Sequence, residues 1–219
     1  FPQLISGSAE TGKPMIMSTG IAEENEIKSA VAAIKSAQNR IGAEVDLALL
    51  HCVSSYPTEA THANLAAINT LAETFPECVI GYSDHTIGID VAVAAVTANA
   101  RIIEKHFTID NNYSDFRDHR LSANPQTLRE MVDRIKEVSN WMGNGTITLA
   151  DCERDGKPSF RRSAHAACNL KAGDVVKDDD IIWLRPGGGI PPDKSSLAVG
   201  HRVNTNIKAG QVIDLDKLD

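Results

Sequence analysis

Two histidines, His85 and His106, stand 21 residues apart in the 219-residue chain, each at the end of a short apolar run. Imidazole is the commonest metal ligand in proteins. If the two runs are neighbouring parallel strands, both rings finish at one rim. They then suit two ligands of an open divalent site, with the remaining positions left to water and substrate. The same spacing also fits two hydrogen-bonded rim histidines that hold no ion. Glu104 shares a face with His106 by strand alternation. Its carboxylate suits orienting a ligand or moving a proton, or a buried ion pair with a lysine. Lys105 alternates away from that face and is expected to pair with an acid in the wall of the sheet. Asp84 reads as an outer anchor for a ligand or as a loop cap, and His51 as the donor or acceptor of a structural hydrogen bond. Further polar residues crowd the same ends: Ser18 and Thr19, Ser54, Ser55 and Tyr56, and Ser83. The charged loop 110–123 offers Arg117, Asp118, His119 and Arg120, which suit a polyhydroxylated or anionic substrate or simply a solvated loop. Arg185, at the root of Pro186-Gly-Gly-Gly-Ile-Pro-Pro, suits a carboxylate or amide, or an isolated place on the surface.

Residues with that distribution need a scaffold of strands that all end on one side. Apolar runs at 14–18, 45–52, 78–82 and 101–108 read as buried strands. Between and after them, 23–38, 64–75, 89–99 and 124–141 carry apolar residues at helical spacing; in the last, Leu128, Met131, Val132, Ile135 and Val138 share a face. Asn124-Pro125 supplies a cap followed by proline at the first helical position. Four strand–helix units in succession predict a parallel sheet with helices outside. A full eight-unit barrel needs about 250 residues, so about half of one fits here, preceded by the tail of a helix at 1–11. The fold class is therefore α/β, the C-terminal half of a TIM (β/α)8 barrel over residues 1–145. A Gly/Asn/Thr/Asp-rich linker follows at 146–160. Residues 161–219 change to short strands and tight turns. There Leu170-Lys-Ala-Gly-Asp-Val-Val and Ile207-Lys-Ala-Gly-Gln-Val-Ile form an approximate repeat 37 residues apart, which predicts a small β-rich module.

Composition excludes several classes. Lys plus Arg number 22 and Asp plus Glu 29, a formal charge of −7. Residues 161–219 carry nine basic and eight acidic side chains, leaving 13 and 21 for the rest. No Lys/Arg run exists, which argues against a nucleic-acid surface. The longest apolar runs, such as 91–96, fall far short of the roughly 20 residues that span a bilayer, and no basic segment followed by an apolar core opens the chain. Four cysteines without a CxxC pair give no structural zinc motif and suit a reducing cytoplasm.

Taken together, Met17 to Gly20 (MSTG), His51 to Thr58 (HCVSSYPT), Gly81 to Gly88 (GYSDHTIG), Ile103 to Thr108 (IEKHFT) and Arg117 to Ala123 (RDHRLSA) resemble the sialic acid (N-acetylneuraminate) synthase family. Trp183 to Pro192 (WLRPGGGIPP) resembles that family's C-terminal antifreeze-like, or SAF, domain. The resemblance implies condensation of phosphoenolpyruvate with an N-acetylated hexosamine, such as N-acetylmannosamine, with release of phosphate by C–O cleavage. It implies that His85 and His106 hold Mn²⁺, or Mg²⁺ or Co²⁺, and that Glu104 lies beside the reacting centre. Ser54 and Ser83 would help hold phosphoenolpyruvate, although position 54 is commonly Asn in the family. Tyr56 and Asp118 would face the sugar, and Arg185 would reach the partner's sugar in a domain-swapped homodimer. Phe-Arg-Asp-His-Arg stands where many members read Gly-Pro-Asp-His-Lys, which leaves the sugar open. The family's first four strands supply lysines for phosphate and carboxylate and an acidic residue near the sugar. A chain without them is expected to bind metal weakly and not to turn over. The rival readings are a non-catalytic ligand-binding or dimerisation module, and another metal-dependent barrel aldolase.

Overall fold

The computed structural model describes residues 1–219 and divides into two compact units, Phe1–Gly145 and Thr146–Asp219. The first begins with helix α1 (Pro2–Ala9) and then alternates: β1 (Met15–Ser18), α2 (Glu24–Ile41), β2 (Leu47–Cys52), α3 (Ala66–Thr74), β3 (Val79–Asp84), α4 (Asp90–Thr97), β4 (Ile102–Lys105) and α5 (Pro125–Met142). The strands form one parallel sheet in the order β1-β2-β3-β4. This is the strand–helix–strand logic in which a helix packs back on the sheet it left.

Strand alternation sorts the side chains. Met15, Met17, Leu47, Leu49, Ile80, Tyr82 and Ile103 belong to the main core, with Ile27, Val31 and Ile34 of α2 and Ile68 and Leu71 of α3. A second cluster joins Ala92 and Val93 of α4 to Met131 and Val138 of α5. The opposite face carries Leu50, Gly81, Ser83, Ile102 and Glu104, paired across the ladder as Leu50–Gly81–Ile102 and Ser83–Glu104. Leu50 lies across Gly81: a Cβ there would sit 2.5 Å from Leu50 Cδ2 and 2.5 Å from the Ile102 carbonyl oxygen. Only glycine fits that rung. The helix ends follow their sequence signals. Glu23 and Glu26 close a capping box on α2, and Gly42, at φ 67°, ends it. The Asn124 side chain accepts from the amides of Gln126 and Thr127 at the start of α5.

The second unit holds α6 (Lys157–Phe160) and an antiparallel pair, β5 (Ser163–Ala166) and β6 (Ile181–Leu184). The stretch read as a linker contains a short 3-10 turn at Asp151–Glu153 and all of α6, and Gly187 N–H donates to Pro158 O at 2.6 Å. The repeat is realised as a pseudo-twofold. Leu170 and Ile207 exchange backbone hydrogen bonds of 2.8 and 2.9 Å. Asn169 Oδ1 accepts from Ala209 N, and Asn206 Oδ1 from Ala172 N, at 2.9 and 3.0 Å. Asp174 and Gln211 side chains close the two turns on Lys171 N and Lys208 N, both at 2.8 Å. Gly173 and Gly210 take the positive φ, 98° and 82°, that each turn needs. Val176, Val203, Ile207 and Ile213 fill the small core.

Candidate active-site rim and its histidine pair

The C-terminal ends of β3 and β4 bring His85 and His106 together. Their ring centroids lie 5.2 Å apart at an interplanar angle of 81°. Two imidazoles sharing one ion through bonds of about 2.1 Å hold their ring centres roughly 5 Å apart, so the pair fits a common divalent ion. Each ring also has a partner that frees one nitrogen. His85, buried, donates Nδ1–H to the Val53 carbonyl oxygen at 2.9 Å. In the neutral ring this leaves the Nε2 lone pair for a ligand. His106 Nδ1 lies 3.4 Å from Asp118 Oδ2, so this nitrogen faces the carboxylate and Nε2 is the one left for a ligand. No three or more His, Cys, Asp and Glu side chains converge as a metal cluster. The protein thus offers two imidazole donors, and any ion held there keeps positions open for water or a substrate oxygen.

Tyr56 completes the aromatic group, its ring 4.2 Å from that of His85 and 5.8 Å from that of His106. Ser83 Oγ donates to Glu104 Oε1 at 2.6 Å, as their ladder pairing dictates. Ser54 sits toward β1: a Cβ added to Gly20 would lie 2.2 Å from Ser54 Oγ and 3.1 Å from Cys52 Sγ. Arg185 belongs to the second unit, exposed, immediately before cis-Pro186.

Asp118 reaches His106 because its loop is tied back on β4. Ala123 N–H donates to His106 O at 2.7 Å, and Thr108 N–H to Ala123 O at 2.8 Å. Asn111 Nδ2 donates to the carbonyls of His119 and Ser122, both at 2.7 Å, and Asn124 Nδ2 donates to Asn111 Oδ1 at 2.8 Å. Arg117 stands at φ 76° with its guanidinium 4.5 Å above the Phe116 ring. Proline, fixed near φ −65°, could not take the backbone that Arg117 has.

Behind the rim lies a buried polar layer. Lys105 Nζ donates to Asp84 Oδ2 at 2.7 Å, with the two side chains 2% and 0% exposed. This is the wall pairing expected of Lys105. Asp84 also caps the following turn, its Oδ1 accepting from Thr86 N and Oγ1. Burial, and then the Asp84 charge, hold the Tyr82 hydroxyl well above the ordinary phenol range. His51 turns to the helix side, where Nε2 meets the Ala63 carbonyl at 2.8 Å and the ring stacks on Tyr82. Two contributors escaped the sequence: the Val53 carbonyl, which has no side-chain signature, and Thr58. Buried Thr58 donates its hydroxyl to Val53 O and Ser55 O and its amide to His85 O, and so ties the Tyr56 loop to β3.

A parallel strand–helix sheet with its polar side chains gathered at the strand C-termini is the arrangement of barrel enzymes. Residues 2–147 match the NeuB family, and residues 161–219 match the SAF domain. The chain belongs to the NeuB family. It is 36% identical to the N,N'-diacetyllegionaminic acid synthase of Legionella pneumophila over 91% of this chain and 55% of that protein. It is also similar to the crystal structure of N-acetylneuraminic acid (sialic acid) synthetase from Leptospira borgpetersenii, at 36% identity and TM-score 0.64, over 70% of this chain and 51% of that one. A spore coat polysaccharide biosynthesis protein E homologue of Chromobacterium violaceum superposes with TM-score 0.81 at 26% identity, over 99% of this chain and 64% of that one. The chain thus spans about half to two thirds of the length of these relatives. No helix is long and apolar enough to cross a membrane.

Proposed function

We propose that the chain forms the C-terminal half of the barrel and the SAF domain of a nonulosonic acid synthase, which condenses phosphoenolpyruvate with an N-acetylated hexosamine and releases phosphate. The observation that carries this reading is the His85–His106 pair, with Nδ1 of His85 hydrogen-bonded to Val53 O, Nδ1 of His106 facing Asp118 at 3.4 Å, and Nε2 of each ring open.

His85 and His106 would hold the divalent ion, Mn²⁺ by the family resemblance. When bound, the ion supplies Lewis-acid polarisation of the sugar aldehyde oxygen. The protein's own groups do the rest. Glu104, fixed through Oε1 by the Ser83 hydroxyl, keeps Oε2 for holding or moving a proton beside the reacting centre. Ser83 has a single O–H to give, so binding the phosphoenolpyruvate anion turns that hydroxyl from Glu104 to the ligand and frees the carboxylate as substrate arrives. Tyr56 and Asp118 line the sugar side, and Ser54 the phosphoenolpyruvate side. Carbon 3 of phosphoenolpyruvate attacks the aldehyde carbon, water adds to carbon 2, and phosphate departs with its bridging oxygen. Arg185 reaches the sugar of a partner subunit in a domain-swapped homodimer. Preceding strands supply the cations for phosphate and carboxylate, so the 219 residues alone are not expected to turn over. The setting is cytoplasmic, in keeping with four unpaired cysteines.

The test is phosphate release by the full-length protein given phosphoenolpyruvate, Mn²⁺ and a panel of N-acetylated hexosamines. Phosphate formed only with a sugar and a divalent ion present is the expected result. Pyruvate in its place would move the protein to an aldolase, and no product from any sugar would overturn the synthase reading.

A further inference from the structure

We propose that the buried Asp84–Lys105 pair is a positioning clamp that fixes the separation of the two ligand imidazoles; the inference rests on the metal reading of the rim. Asp84 precedes His85 and Lys105 precedes His106, and the two are register partners on the last rung of the β3–β4 ladder. Both histidines stand one residue beyond that rung, where no further ladder contact joins the strands. The clamp is cross-braced. Lys105 Nζ donates to Asp84 Oδ2 at 2.7 Å and to the Thr86 carbonyl at 2.6 Å. Asp84 Oδ1 accepts from Thr86 N at 3.0 Å and Oγ1 at 2.8 Å. The backbone on both sides of His85 is therefore tied to the residue before His106. Lys105 does not reach substrate, since it is 2% exposed and faces the helix side.

Fold stability is a poor explanation for the pair. Desolvating two ions often offsets their attraction, and an apolar pair in the same volume commonly serves stability as well or better. What an ion pair adds is a fixed distance and direction between two backbones, and a shared ion is sensitive to both.

The test measures Mn²⁺ binding by the electron paramagnetic resonance signal of free Mn²⁺ and the visible spectrum of the Co²⁺-loaded protein, in the full-length protein. Asp84→Asn/Lys105→Met removes both charges together, so no ion is left orphaned. The expected result is a melting temperature close to that of the wild type, Mn²⁺ affinity about 10–100-fold weaker, and an altered Co²⁺ spectrum. Wild-type affinity and spectrum in the double variant, with His106→Ala losing both, would overturn the clamp and leave the metal reading standing. A wild type that binds no better than His106→Ala would overturn both. If the double variant does not fold, Thr86→Val removes only the hydroxyl bond to Asp84. Weaker Mn²⁺ binding then supports the clamp, and unchanged binding overturns it.

Discussion

At the ends of β3 and β4, polar side chains converge from different strands and leave atoms unengaged, among them Nε2 of His85, Nε2 of His106 and Oε2 of Glu104. Around the two Lys-Ala-Gly turns of the second unit the polar side chains close on their own surroundings. Asn169 and Asn206 each cap the other's turn, and Asp174 and Gln211 each cap their own. The difference teaches what each unit asks of polarity. In the small module every such group completes a turn that has little core beneath it, as a domain near the lower size limit requires. In the sheet, a large apolar core already holds the strands, and the rim is free to keep donors for a ligand. The Asp84–Lys105 layer lies between these uses, satisfied in itself yet placed against the rim.

The contrast can be broken or sharpened by substitution. His106→Ala should produce the largest effect: loss of Mn²⁺ binding beyond the about 10–100-fold typical of an outer partner, with the melting temperature hardly moved. Retained binding in a Mn²⁺ titration would remove the functional half of the comparison. Next, Gly81→Ala and Gly189→Ala each force a Cβ to within 2.5 Å of a packed side chain, Leu50 in the first unit and Val212 in the second. Each should cost about 1–3 kcal/mol. Calorimetry should show each change confined to the transition of its own unit. A common shift in both would mean that the units do not unfold separately.

Smaller and more diagnostic is the repeat. Asn169→Ala and Asn206→Ala should each destabilise the second unit by about 1 kcal/mol, and by similar amounts, in urea titrations. A cost at one site only would show that the pseudo-twofold is not mirrored in energy. The smallest effect belongs to Tyr82. Its hydroxyl is held above the ordinary range by burial and Asp84, so as pH rises past about 10 the unfolded chain loses that proton first. The unfolded state then binds fewer protons and stability falls with further alkali. Tyr82→Phe should flatten that alkaline slope in pH-dependent melting, and an unchanged slope would assign it to other groups.

Much of the fold was legible because its signals are local. The spacing of Leu128, Met131, Ile135 and Val138 marks one helical face, Asn124-Pro125 marks its start, and the repeat at 170 and 207 marks paired turns. The strand ends were less so. β3 runs through Asp84, past the apolar run that ends at Tyr82, and that extension puts Ser83 on the face of Glu104 and Asp84 on the face of Lys105. The partner of His85 was illegible, since Val53 contributes a backbone carbonyl that any residue would carry. So was the contact of Asp118 with His106, which depends on Asn111 tying the loop across some ten residues of chain.

The sequence by itself determined the alternation of strand and helix, the two-part organisation and the supply of imidazoles and carboxylates at the strand ends. These follow from side-chain chemistry and from periodicities between near neighbours. Tertiary structure alone decided that His85 and His106 meet while His51 turns to Ala63 and Tyr82, and that Lys105 finds Asp84. Each of those outcomes rests on strand register and on a carbonyl or carboxylate brought from elsewhere in the chain, and neither is written in the spacing of the residues that use them.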